Sequence, residues 1–115
     1  FSHASGAFLA TLGRIEHGWR CRPDLVAIDN PNNPRNYIGK FWVDSITHDA
    51  RLMQYVLDLQ GANKVVMGSD YPFPLGDLEF GRYIETDMDL PEADRAAIFH
   101  GAALNWLDLD KARFD

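Results

Sequence analysis

The sequence predicts an α/β fold with parallel strands, and three stretches carry that prediction. Val65, Val66 and Met67 form a short apolar run, typical of a fully buried strand, that stops at Gly68-Ser69-Asp70 ahead of Pro72 and Pro74. Lys40 to Ser45 is a second strand candidate, with Phe41, Trp42 and Val43 favouring strand and Asp44 near its end. Between them a helical pattern runs to Gln60, so strand, helix and strand make a right-handed βαβ unit.

Composition sets the frame for this unit. The chain has 115 residues, 46% of them hydrophobic, with three Trp and seven Phe, which is folded material of one domain or less. A net charge of -6 with scattered Lys and Arg argues against a nucleic-acid surface, since phosphate contacts need clustered cations. Cys21 is the single cysteine, which rules out an internal disulfide or a cysteine-rich zinc site and fits a reducing cytoplasm. No run approaches the ~20 apolar residues of a membrane span. The chain opens on Phe1-Ser2-His3 without an initiating Met, so it is expected to be a piece of something longer.

In chain order, Phe1 to Gly6 reads as a loop of small residues holding His3. From Ala7 to about Arg22 the residues Phe8, Leu12, Ile15 and Trp19 recur at helical spacing and predict one buried stripe. Arg14 and His17 share another face, where Arg14 is either a solvated side chain or a binding group. Pro23 ends the helix, and the turn formers Asp29 to Pro34 predict a surface loop over Pro23 to Gly39. A loop of this length is often functional.

Asp49 is placed to cap the helix that runs to Gln60, where Leu52, Met53, Val56, Leu57 and Gln60 trace one face and Gly61 supplies the stop. His48 reads as a loop histidine, or as one lining a site by its place after a strand. Beyond Gly76, helices are predicted from about Leu78 to Met88 and from Pro91, with Gly101 breaking the second before Ala102 to Leu107. His100 falls near a helix end, a favourable place for imidazolium, and reads as structural. Two parallel strands alone leave open edges and an uncovered apolar face, so the isolated chain is expected to be half a fold, oligomeric or aggregation-prone. Asp70 at a strand end either caps the next turn or faces a ligand, because the C-terminal ends of parallel strands carry the sites of α/β folds.

HASGAF, GRIEHGWRCRPDL, DNPNNPRNYIG, FWVDSITHD and above all GSDYPFPLGDLE occur in this order. Together they resemble the C-terminal third of the non-oxidative decarboxylases in the amidohydrolase superfamily. The resemblance implies that residues 1–115 are an incomplete (β/α)8 TIM barrel, from the end of the sixth strand to the C-terminal helices of a single barrel domain.

It also implies a zinc ion held by a His-x-His pair, a histidine from a middle strand and an aspartate that matches Asp70. His3 matches a catalytic histidine that activates water, and Asp70 is catalytic through the metal. Arg14 matches an arginine that reaches across a homodimer to the substrate carboxylate, and Phe73 would line the pocket. No His-x-His occurs here, so the remaining ligands are expected upstream, and this chain alone is expected to be inactive and to bind zinc weakly.

The implied chemistry is decarboxylation of a small conjugated carboxylic acid. Another hydrolase or decarboxylase of the superfamily is the alternative, and a non-catalytic structural or interaction fragment is the competing class. The coding sequence upstream of Phe1 discriminates between enzyme and fragment.

Overall fold

A computed structural model describes residues 1–114. Helix α1 spans Ala7–Cys21 and α2 spans Pro23–Val26; β1 is Val43–Asp44, α3 is Ala50–Gln60 and β2 is Val65–Val66. Three short helices follow: α4 (Arg82–Thr86), α5 (Glu92–Ala96) and α6 (Ala102–Leu107). β1 and β2 pair in parallel, with Val43 opposite Val65 and Asp44 opposite Val66, so the expected βαβ unit is present. Each strand is only two residues long, shorter than the apolar runs suggest.

A third segment extends the sheet. The Phe1 amino group donates to the Trp42 carbonyl at 2.8 Å, and Asp44 N–H donates to the Phe1 carbonyl at 3.2 Å, so Phe1 lies along the outer edge of β1. On the far side of β2, Met67 N–H donates to the Ile98 carbonyl at 3.1 Å. That donor would otherwise be left without a partner at the sheet edge.

The core lies on one face of this sheet. Val43 and Val65 are buried against Met53, Val56 and Leu57 of α3, Ile84 of α4, Ile98, and Leu9 of α1. Strand residues alternate faces, and their neighbours Trp42, Asp44 and Val66 line an open cavity of about 460 Å³ with Phe1 and Trp106. One face of the sheet is therefore covered and the other is open. α3 forms as its sequence dictates: Asp49 Oδ1 accepts the Leu52 N–H at 2.8 Å, and Gly61, at φ 81°, ends the helix.

Several expectations need correction. The stripe on α1 is rotated by one position, for Leu9, Leu12 and Glu16 are buried while Phe8, Ile15 and Trp19 line an open groove. The segment after Pro23 is not plain loop: Pro23 starts α2, and Pro34–Tyr37 forms a 3-10 turn capped by Asn33. The helix expected over Leu78 to Met88 shrinks to α4, because the Asp77 carboxylate accepts the Glu79 and Gly81 N–H groups and holds that stretch as a turn. Gly101 does not break the last helix; Ala97–Gly101 is a π-helical turn that joins α5 to α6. His100 therefore lies inside a continuous helical segment and is exposed, not at a helix end. No helix among the described residues is long and apolar enough to cross a membrane.

Candidate active site

The ends of β1 and β2 and the segment at Phe1 meet where the sheet opens. Phe1 ends along β1, and the chain then turns through His3, Ala4, Ser5 and Gly6 with φ of 52°, 49°, 70° and 57°. Left-handed backbone costs roughly 1–2 kcal/mol per non-glycine residue, so three such residues store about 3–6 kcal/mol that surrounding contacts must offset.

Asp44, at the end of β1, provides those contacts. Its Oδ2 accepts the His3 N–H at 2.9 Å, and its Oδ1 accepts the N–H groups of Ala4 at 2.9 Å and Ile46 at 3.1 Å. Hydrogen bonds to an ionised acceptor contribute about 1.5–3 kcal/mol each, enough to hold the turn. The sequence singled out Asp70 as a strand-end carboxylate and left Asp44 as a strand boundary, although the same reasoning applies to both.

Asp70 follows β2, also with positive φ, at 56°. Its loop closes on itself: Phe73 N–H donates to the Asp70 carbonyl at 2.9 Å, Gly76 N–H to the Phe73 carbonyl at 2.9 Å, and Asp77 N–H to the Ser69 carbonyl at 2.7 Å. A Cβ on Gly76 would lie 2.7 Å from the Ser69 carbonyl, 3.0 Å from that of Phe73 and 3.1 Å from that of Asp70, so this closure requires glycine.

The Asp70 side chain caps no N–H among the described residues. Its Oδ2 instead stands 3.6 Å from His3 Nε2. That separation is too long for a hydrogen bond and is an ion-pair contact when the imidazole is protonated. His3 is well exposed and Asp70 half-buried, so the pair opens to solvent.

Other side chains from the sequence reading stand apart from this pair. Arg14 is exposed on α1 and forms no ion pair among the described residues. Phe73 is exposed at the tip of the Asp70 loop, beside the equally exposed Tyr71 and Leu75. His48 lines a separate polar cavity of about 380 Å³ with Asp77, Arg82 and Tyr83. An apolar cavity of about 720 Å³ lies between α1 and the Pro34–Tyr37 turn, lined by Phe8, Ile15, Trp19 and Phe41, and neither His3 nor Asp70 borders it.

Two polar anchors steady the surroundings. Buried Glu16 on α1 accepts from Arg35 Nε at 2.5 Å, Asn33 Nδ2 at 3.1 Å and Arg20 at 2.8 Å, and these donors, Arg35 foremost, hold its carboxyl down at about 2. Tyr83 Oη donates to the Ser45 carbonyl at 2.6 Å, just beyond β1, and burial pushes its phenol up.

Asp70 offers a carboxylate oxygen and His3 an imidazole nitrogen, a donor set that suits zinc. Among the described residues no three His, Cys, Asp or Glu side chains converge as a complete metal site.

The profile of the Amidohydrolase family matches residues 1–109. Two curated relatives are both named 2-amino-3-carboxymuconate-6-semialdehyde decarboxylase. The one from Dictyostelium discoideum is 48% identical over 114 residues, covering 99% of this chain and 32% of the relative. The one from Caenorhabditis elegans is 38% identical over 111 residues, covering 96% of this chain and 28% of the relative. The chain thus spans about a third of the length of the curated relatives it matches.

Proposed function

Since the chain belongs to the amidohydrolase family, we propose that it is the C-terminal part of the barrel domain of a zinc-dependent, non-oxidative decarboxylase. Its substrate is a small conjugated carboxylic acid, and the names of the two relatives favour 2-amino-3-carboxymuconate 6-semialdehyde, an intermediate of tryptophan or 2-nitrobenzoate breakdown. The observation that carries this reading is the approach of His3 Nε2 to Asp70 Oδ2, 3.6 Å apart, at the C-terminal strand ends where parallel α/β folds bind ligands.

Asp70 would hold the metal, with the remaining ligands supplied by residues outside this chain. Zinc, when bound, supplies a Lewis acid and lowers the pKa of water in its coordination sphere toward neutrality. His3 takes or returns a proton within reach of the Asp70 carboxylate. Arg14 carries a planar guanidinium on an exposed helix face, and in a homodimer it would clamp the substrate carboxylate in the neighbouring site through a bidentate contact. Phe73 would line the pocket with its ring and exclude water. We place the protein in the cytoplasm, in keeping with its lone free cysteine.

The test follows release of carbon dioxide from the semialdehyde by the whole protein. Arg14→Ala and Asp70→Ala are each expected to remove nearly all activity. Mixing the two inactive variants, with subunit exchange confirmed, should restore up to about half the activity per mixed dimer, because one of the two sites is then whole. A wild-type protein that releases no carbon dioxide overturns the reaction, and absence of recovery despite exchange places Arg14 outside the neighbouring site.

A further inference from the structure

We propose that Asp44 is a positioning residue for the His3–Asp70 pair, its carboxylate fixing the left-handed turn that presents the imidazole. The proposal deepens the reading of His3 as the proton-handling group and rests on it.

Both oxygens of the Asp44 carboxylate are engaged by main-chain donors, those of His3, Ala4 and Ile46. It therefore acts on His3 through the backbone. The turn it holds is strained: His3, Ala4 and Ser5 are all left-handed without being glycine, and the Ser5 hydroxyl is buried without a partner among the described residues, while burial of Ala4 in the core is the turn's other anchor. The remaining bonds inside the turn, Ser5 N–H to the Ser2 carbonyl and Gly6 N–H to the His3 carbonyl, close it locally but do not tie it to the sheet.

The place of Asp44 is itself fixed by both neighbouring strand ends. Its N–H is bound to the Phe1 carbonyl, and the chain beyond β2 passes it at Gly68, where an added Cβ would lie 3.0 Å from Asp44 Cβ. The chain thus carries a glycine where an added Cβ would press on Asp44 and Ile46 by a few tenths of an ångström. Asp44 holds the turn bearing His3, and its neighbour Ser45, whose Oγ accepts the Gly68 N–H at 3.1 Å, ties the same strand end to the segment leading to Asp70.

The experiment uses the whole protein and reads two quantities in Asp44→Asn, which replaces one acceptor oxygen by an NH2 facing an N–H. The first is hydrogen exchange at the His3 and Ala4 amides, which should accelerate at least about tenfold while amides of α3 stay protected. The second is turnover: kcat should fall about 10- to 100-fold with KM changed less than about threefold, because a misplaced histidine impairs the chemical step more than binding.

Ser5→Gly removes left-handed strain and the unpartnered hydroxyl, so the double variant should recover several-fold of the kcat lost in Asp44→Asn. Should Asp44→Asn fail to fold, Gly68→Ala displaces the same carboxylate without altering its charge and is expected to lower kcat in the same direction. Unchanged exchange at His3 and Ala4, unchanged kcat despite faster exchange, or no recovery with Ser5→Gly overturns the proposal. A wild-type protein without decarboxylase activity, but with exchange at these two amides governed by Asp44, overturns the functional reading and leaves the tie between Asp44 and the turn standing.

Discussion

Gly76→Ala and Gly13→Ala are the same chemical change with opposite expected signs. At Gly76 the new methyl meets three carbonyl oxygens, the nearest at 2.7 Å, and all three are backbone atoms of the loop that presents Asp70. Relief to ordinary contact near 3.4 Å requires a backbone shift of roughly 0.5–0.7 Å, since no side-chain rotamer can absorb it; such overpacking costs about 1–3 kcal/mol. A comparable displacement of Asp70 from His3 should lower kcat by about tenfold or more.

At Gly13, inside α1, an added Cβ meets nothing within 4 Å. There alanine should stabilise by about 0.5–1 kcal/mol through helix propensity alone. Urea denaturation of the whole protein measures both, and turnover measures the first. Equal stability of the two variants, or a Gly76→Ala protein with wild-type kcat, would refute the closed loop as the support of Asp70.

Three further outcomes are expected. Glu16 is depressed from 4.5 to about 2, so the stability it contributes is complete above pH ~4.5 and is lost as the pH falls toward 2; Glu16→Gln should lack that acid-dependent portion, and coincident acid-unfolding curves would contradict the anchor. Tyr83→Phe removes one of two donors to the Ser45 carbonyl, which keeps the Thr47 N–H at 2.9 Å, and should cost about 0.5–1.5 kcal/mol by chemical denaturation, whereas a loss below about 0.3 kcal/mol would mean that water replaces the phenol. Met53→Ala, at a fully buried position of α3, should cost about 2–5 kcal/mol, and a loss under 1 kcal/mol would show that the core collapses to fill the space.

What the sequence made legible was local. Asp49 and Gly61 bound α3 because cap chemistry acts within one helical turn, and the runs at Val43 and Val65 found their strands because β-branched and aromatic residues favour extended backbone. Glu16 was hidden because a carboxylate on a helix reads as surface until Arg35 and Asn33 come back from a later turn to neutralise it. The shortened α4 follows from local turn bonds of the Asp77 carboxylate that compete with the helix, and the π turn at Ala97–Gly101 accompanies a tertiary bond from Met67 N–H to the Ile98 carbonyl that propensity does not contain. Within the site, Asp70 stood out by its place after a strand. The left-handed turn at His3 did not, for it requires Asp44, forty-one residues away.

The central claim, that Asp70 and His3 are the working centre of a metal-dependent decarboxylase, is tested most directly by measuring bound metal and carbon dioxide release together in the whole protein. The wild type should hold about one zinc per subunit and decarboxylate. Asp70→Ala should lose both, and His3→Ala should keep most of the metal while kcat falls at least about a hundredfold. Asp70→Ala protein that retains stoichiometric zinc and wild-type turnover would contradict it.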